Sequence, residues 1–212
     1  MSTVIPSLTR RGAAVWLIAL AFVISGTAVR ADTEPNARQY IGALVSKALR
    51  TLADTKTNEA QREQAFDGML RENFDFPRIS RFVLGRYWSA ASEADRAKFI
   101  EVYREFIIRS YASQFNEFNG ETVKVTNQRA ESGDIIVVNS LLVHPNGDPP
   151  IKVNWRVHKQ GDSFKILDVD IEGISMLLAQ REEFASVIQR NGGTVAGLIQ
   201  AIEEKMKTAG KS

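Results

Sequence analysis

Asp168, Asp170 and Glu172 alternate through DVDIEG, with Gly173 next. They match the first, third, fifth and sixth places of a calcium-binding loop. The twelfth place needs a bidentate glutamate and is Ala179, while Ile174, Met176 and Leu177 fill intervening places. Carboxylates at a two-residue period are instead the solvated face of a strand. His144 and His158 are the two histidines, and neither has a partner at ligand spacing, so no metal is expected. Ser175 in EGISML lacks the second glycine of a nucleophile elbow, and no histidine follows it. NGGTVAG has the spacing of neither a dinucleotide nor a Walker loop, and reads as a helix stop followed by a cap at Thr194. Cysteine is absent, which removes thiolate nucleophiles, thiolate metal sites and thiol redox chemistry. No catalytic residue, cofactor or metal is expected.

The unusual feature is apolar. Between Ser89 and Phe118, the residues Phe99, Val102, Tyr103, Phe106, Ile107, Tyr111, Phe115 and Phe118 recur at three- and four-residue steps, and Ile100 and Ile108 widen the stripe. A second inward row runs around Trp155. A third holds Ile174, Met176, Leu177, Phe184 and Ile188. These rows either fill a core or border a cavity that holds something apolar.

The elements that carry these rows come as helices, then strands, then helices. Residues 33–54 place Tyr40, Ile41, Leu44, Val45, Ala48 and Leu52 on one helical face, and residues 57–74 turn Phe66, Met69, Leu70 and Phe74 inward. A short third helix starts near Pro77 and ends at Gly85. The aromatic helix follows, with Ser92 and Asp95 in a capping-box arrangement. Past Asn119-Gly120 the period changes to two. ETVKVTNQ and DIIVVNSLLVH flank the turn ESGD as a hairpin. PIKVNWRVHK alternates Ile151, Val153, Trp155 and Val157 with polar residues, His158 falling on the wet side. In FKILDVDIEG the apolar set switches phase, which predicts a bulge near Ile166. Two helices, 174–190 and 194–207, close the chain around Asn191-Gly192-Gly193. The expected class is α+β: a curved antiparallel four-stranded sheet with helices on its concave face and an apolar cavity between the layers.

Residues 1–31 read as a signal peptide, leaving 32–212 as one domain. Arg10 and Arg11 precede the uncharged run GAAVWLIALAFVIS, which is shorter than the roughly 20 residues of a membrane span. Val29 and Ala31 suit a cleavage site, with Ala28 the alternative. The leader holds three of the 27 basic residues and none of the 25 acidic ones, so the remainder carries 24 against 25. RISRFVLGRYW interleaves Arg78, Arg81 and Arg86 with aromatics, yet a balanced, exported chain is no nucleic-acid partner. An exported chain without cysteine fits the bacterial periplasm.

Two long blocks, FVLGRYWSAASEADRAKFIEVYREFIIRSYASQF (82–115) and VHPNGDPPIKVNWRVHKQGDSFKILDVDIEGISM (143–176), resemble the MlaC, or Ttg2D toluene-tolerance, family of periplasmic phospholipid-binding ABC-transporter auxiliary proteins. QREEF followed by GGTVAGLI is similar to the family's final helices. A hopanoid-associated branch, HpnM, shares the pattern, and no residue decides between phospholipid and hopanoid cargo. The resemblance implies an NTF2-like fold whose apolar pocket holds acyl chains, with the head group at the mouth. It also implies transfer between an outer-membrane lipoprotein complex and an inner-membrane ABC transporter with an MCE-domain ring. By position, Tyr111 matches a family tyrosine near the pocket, whereas Ala179-Gln180 stands where many relatives have Asn-Tyr. The expected lipid-binding residues are Phe99, Tyr103, Phe106, Ile107, Tyr111, Leu141, Val153, Trp155, Ile174, Met176 and Phe184. Two other functions compete: a non-catalytic structural partner of an envelope complex, and an NTF2-like cavity enzyme. The enzyme would need a tyrosine and an isolated inward carboxylate, and the sheet carboxylates are expected to face water.

Overall fold

The computed structural model describes residues 36–54, 56–112 and 118–209. The expected leader and its cleavage site lie outside these residues. Five helices come first: α1 (Ala37–Ala53), α2 (Glu59–Asn73), α3 (Phe76–Leu84), α4 (Arg86–Ala90) and α5 (Glu93–Ala112). The strands β1 (Thr122–Ala130), β2 (Ile135–Val143), β3 (Ile151–Gln160), β4 (Ser163–Ile171) and β5 (Ile174–Ser175) follow, then α6 (Met176–Arg190) and α7 (Val195–Ala209).

Side chains fix the helix ends. Asn58 and Gln61 form a reciprocal capping box on α2. Asp75 caps α3 by accepting from Arg78 N–H at 3.1 Å, with Pro77 in the first turn. At α5, Ser92 Oγ accepts from Asp95 N–H at 3.0 Å and donates to the Asp95 carboxylate at 2.7 Å, as the sequence predicts. Thr194 likewise accepts from Gly197 N–H at 3.1 Å. The sequence alone does not separate α4, a single turn that Gly85, at φ +51°, sets off from α3. The predicted aromatic helix runs on to Phe118. In the structure α5 includes Ala112, Phe118 lies beyond it, and 113–117 fall outside the described residues.

The sheet is antiparallel, in the order β1-β2-β3-β4-β5. It has five strands where four were expected. A turn at Glu172-Gly173, both left-handed (φ +51° and +86°), folds Ile174 and Ser175 back onto Ile171 and Asp170. The predicted bulge is present: Arg156 pairs with Asp168 and Val157 with Ile166, so Leu167 is left over. A second irregularity falls between Val125 and Asn127. Both bend the sheet.

Two apolar clusters result. In one, Ala37, Ile41 and Val45 of α1 lie on Val138, Val157, Phe164 and Ile166 of the sheet. In the other, α3, α5, α6 and α7 pack around Phe99, Phe184, Ile188 and Leu198. The opposite sheet face carries a polar ladder, Asn139 donating to Asn154 (2.5 Å) and Asn154 to Asp170 (3.1 Å). Two polar residues depart from the expected wet face. His158 is buried, with Nε2 2.9 Å from Asp75 Oδ2, because the α2–α3 junction lies along the β4 edge through Asp75 N–H to Ile166 O. Asp168 is buried as well.

Glycine distinguishes crowded from open backbone. A Cβ at Gly197 would lie 2.0 Å from the Asn191 carbonyl oxygen, whereas one at Gly68 would meet nothing within 4 Å. Gly197→Ala should therefore lower unfolding stability by about 1–3 kcal/mol as α7 is pushed off the turn. Gly68→Ala should raise it by roughly 0.5–1 kcal/mol, as expected for a helix interior. Urea denaturation of the two variants checks both signs.

Candidate functional site

A cavity of about 460 Å³ lies between the sheet and the helices. Its size falls within the roughly 300–1,000 Å³ of small-molecule sites. Leu44, Val45, Ala48 and Leu49 of α1 form one wall, and Phe66, Met69 and Leu70 of α2 another. Tyr103, Ile107 and Tyr111 of α5 face Val153 and Trp155 of β3 and Leu167, Val169 and Ile171 of β4. Met176, Leu177, Ala179 and Gln180 bring in the start of α6. Tyr111, Ile171 and Ala179 are both lining and exposed, so they mark a mouth.

Of the eleven residues predicted from sequence, Tyr103, Ile107, Tyr111, Val153, Trp155 and Met176 line this cavity. Five are placed elsewhere. Phe99, Phe106 and Phe184 are buried behind the α5 wall, Phe184 meeting Phe99 at 5.7 Å and Phe106 at 6.4 Å between ring centroids. The stripe on α5 spans more than one face, because the helix packs on α2, α3 and α7 as well as bordering the cavity. Leu141 is off by one position: Leu142 lines the cavity, so Leu141 turns to the other sheet face. Ile174 is 60 % exposed, carried outward by the β4–β5 turn. Sequence reasoning missed the α1 and α2 walls as part of the site. Their apolar faces were visible, but nothing in their spacing separates a cavity wall from a core contact.

Few polar atoms reach this wall, and most are committed. Trp155 Nε1–H donates to Ser140 Oγ at 3.0 Å, and that hydroxyl donates to Val153 O at 2.8 Å. The indole is thereby oriented, with its hydrocarbon left toward the cavity. Asp168 corrects the expectation of solvated carboxylates, since it is buried and lines the cavity. It accepts from Leu177 N–H (2.9 Å), Ser175 Oγ–H (2.6 Å) and Arg156 Nη1 (3.1 Å), which fixes the start of α6 to β4. Glu131 also binds Arg156 and, together with Asp168, holds the guanidinium pKa above its ordinary value against the desolvation that lowers it. Gln180 Nε2–H donates to Glu183 at 3.2 Å, and its Oε1 is enclosed with no partner among the described residues. Burial raises the Tyr103 phenol well above its ordinary pKa, so the group is neutral at physiological pH. A committed carboxylate on a hydrocarbon wall suits retention of an apolar molecule better than proton transfer.

The family model described as MlaC protein matches residues 42–204. The intermembrane phospholipid transport system binding protein MlaC of Haemophilus influenzae is 25 % identical over 114 residues, 52 % of this chain and 53 % of that protein. The alignment thus spans about half the length of that relative. The toluene tolerance protein ttg2D of Pseudomonas putida is 24 % identical over 149 residues, covering 66 % of this chain and 69 % of that one. Among solved structures, the phospholipid-binding protein of Ralstonia solanacearum in complex with a phospholipid superposes with a TM-score of 0.72. It is 24 % identical, covering 82 % of this chain and 99 % of that one, and shows a shared fold. With a family match that runs from within α1 to within α7 and includes every residue lining the cavity, the chain belongs to the MlaC family.

Proposed function

We propose that this chain is a periplasmic lipid carrier that holds phospholipid acyl chains in its cavity and moves lipid between membranes without chemical change. The observation that carries this reading is the cavity itself: about 460 Å³ with an almost entirely hydrocarbon lining, bordered by an exposed mouth. Membership of the MlaC family supports the cargo class, as does the phospholipid transport named for the Haemophilus relative. An acyl chain of about 15 methylenes costs on the order of 12 kcal/mol to expose to water, at about 0.8 kcal/mol per methylene. A hydrocarbon cavity offsets most of that cost with no catalytic group. Asp168 is bound to Arg156, Ser175 and Leu177, so it is not the isolated inward base that a cavity enzyme requires. The partners of the proposal are an inner-membrane MCE-domain ABC complex and an outer-membrane lipoprotein complex, by family analogy.

Native mass spectrometry of the full-length product expressed with its own leader tests the class. The expected result is an added mass that organic solvent strips and that fragments as a phospholipid. A bare chain from cells, which also fails to load from vesicles, would return the envelope-partner reading to first place.

Ile107 tests the wall. It is half-buried, lines the cavity and stands beside no basic residue of the lining. Ile107→Glu should reduce bound lipid at least tenfold while circular dichroism keeps the helical signal, because the new carboxylate meets hydrocarbon. Loss of helical signal in step with loss of lipid would instead mark Ile107 as a core contact.

A further inference from the structure

Tyr103 differs from every other polar group of the cavity wall. Trp155 N–H is taken by Ser140, Asp168 by three donors, and Gln180 Oε1 is closed off by protein. Tyr111 is exposed at the mouth. Tyr103 is only 4 % exposed, and its hydroxyl forms no hydrogen bond among the described residues. That oxygen is also not among the enclosed, unpartnered polar atoms, so it opens onto the cavity that Tyr103 lines. The ring has little freedom: it stacks on Phe99 at 5.5 Å and 13°, and meets Phe184 edge-on at 5.2 Å and Phe76 at 6.1 Å. A rigid donor is thus aimed into hydrocarbon, where a hydroxyl without a partner costs about 1–3 kcal/mol.

The charge of the wall restricts what can meet it. Asp168 lines the same cavity, and its charge acts on Tyr103. An anionic oxygen such as a phosphate would lose its hydration in an apolar space whose lining, among the described residues, holds no cation and whose carboxylate already occupies the Arg156 guanidinium. A neutral acceptor carries no such penalty. The neutral acceptors that directly adjoin the hydrocarbon of a diacyl phospholipid are its ester carbonyls. Resting on the carrier reading above, we propose that the Tyr103 hydroxyl donates a hydrogen bond to an acyl ester carbonyl of the bound lipid, which makes the cavity selective for ester-linked over ether-linked chains. Burial keeps the phenol protonated, and therefore a donor, across physiological pH.

The test is a competition. Full-length protein, stripped of lipid, is incubated with vesicles of equal dipalmitoyl (ester) and dihexadecyl (ether) phosphatidylglycerol, and the bound ratio is read by native mass spectrometry. Wild type should favour the ester lipid by about five- to tenfold, the range of one buried hydrogen bond. Tyr103→Phe keeps the ring packing and removes the hydroxyl, and should bring the ester lipid down to the level of the ether lipid. A wild-type ratio near one, or an unchanged ratio in Tyr103→Phe, overturns the assignment while leaving the carrier reading standing. The wild-type ratio needs no substitution, so a misfolded variant does not remove the test. If neither lipid loads onto wild type, the carrier reading falls and this assignment falls with it.

Discussion

The structure depends on an apolar space that its own side chains do not fill. Were the cavity sealed and empty, about 24 cal/mol per Å³ over 460 Å³ would cost at most about 11 kcal/mol, comparable to the whole stability of an ordinary domain. The walls must therefore be held apart by packing elsewhere. The aromatic cluster does this. Phe99, Tyr103 and Phe184 interlock at 5.2–5.7 Å, Phe76 closes one side, and together they make α5 a rigid wall. Across the cavity, α1 lies on the sheet through Ile41 and Val45, and Trp155, which packs against that same cluster, is still only half-buried, as is Val153.

The start of α6 is fixed by polar contacts of a different kind. Asp168 binds Ser175 Oγ and Leu177 N–H, while Asp170 accepts from Gly173 N–H at 3.0 Å. Glu172 holds a left-handed backbone at φ +51°, the one non-glycine to do so among the described residues, and its N–H donates to Lys152 O at 3.0 Å. The carboxylates that resemble half a calcium loop are thus hinge fittings of a β4–β5–α6 corner. Their alternation is real, but the partners that explain it come from Arg156 and from the helix start.

Much of the fold was legible because period and punctuation agree. The 3.6 pattern of 37–53 and 93–112, the alternation through Trp155, the phase switch at Leu167 and the caps at Ser92 and Thr194 each have a local cause. The cavity was legible only in part. Tyr103, Ile107 and Trp155 could be picked out because they sit on apolar faces. Phe99, Phe106 and Phe184 sit on such faces too, and which aromatic turns to the cavity and which to the core depends on helix rotation, set by contacts with α7 far along the chain. Leu141 against Leu142 was decided by strand register, where one residue reverses the face. His158 and Asp168 became buried through partners on other elements, Asp75 and Leu177, which no local pattern announces.

The division of the core into two clusters bears on how a tightly held molecule could ever leave. One cluster joins α1 to the sheet, and the other joins Leu70 of α2 to α3, α5, α6 and α7. The cavity lies on the seam between them, and Phe74 packs against both. The bonds across that seam include Asp75 N–H to Ile166 O, at 3.0 Å, and the Asp168–Leu177 contact. Each is worth on the order of 1 kcal/mol net, or somewhat more where a charge takes part. Parting the seam would break those bonds together with the His158–Asp75 and Tyr40–Asn73 pairs and would expose Phe74, so any opening has to be offset by contacts with the surface that receives the bound molecule.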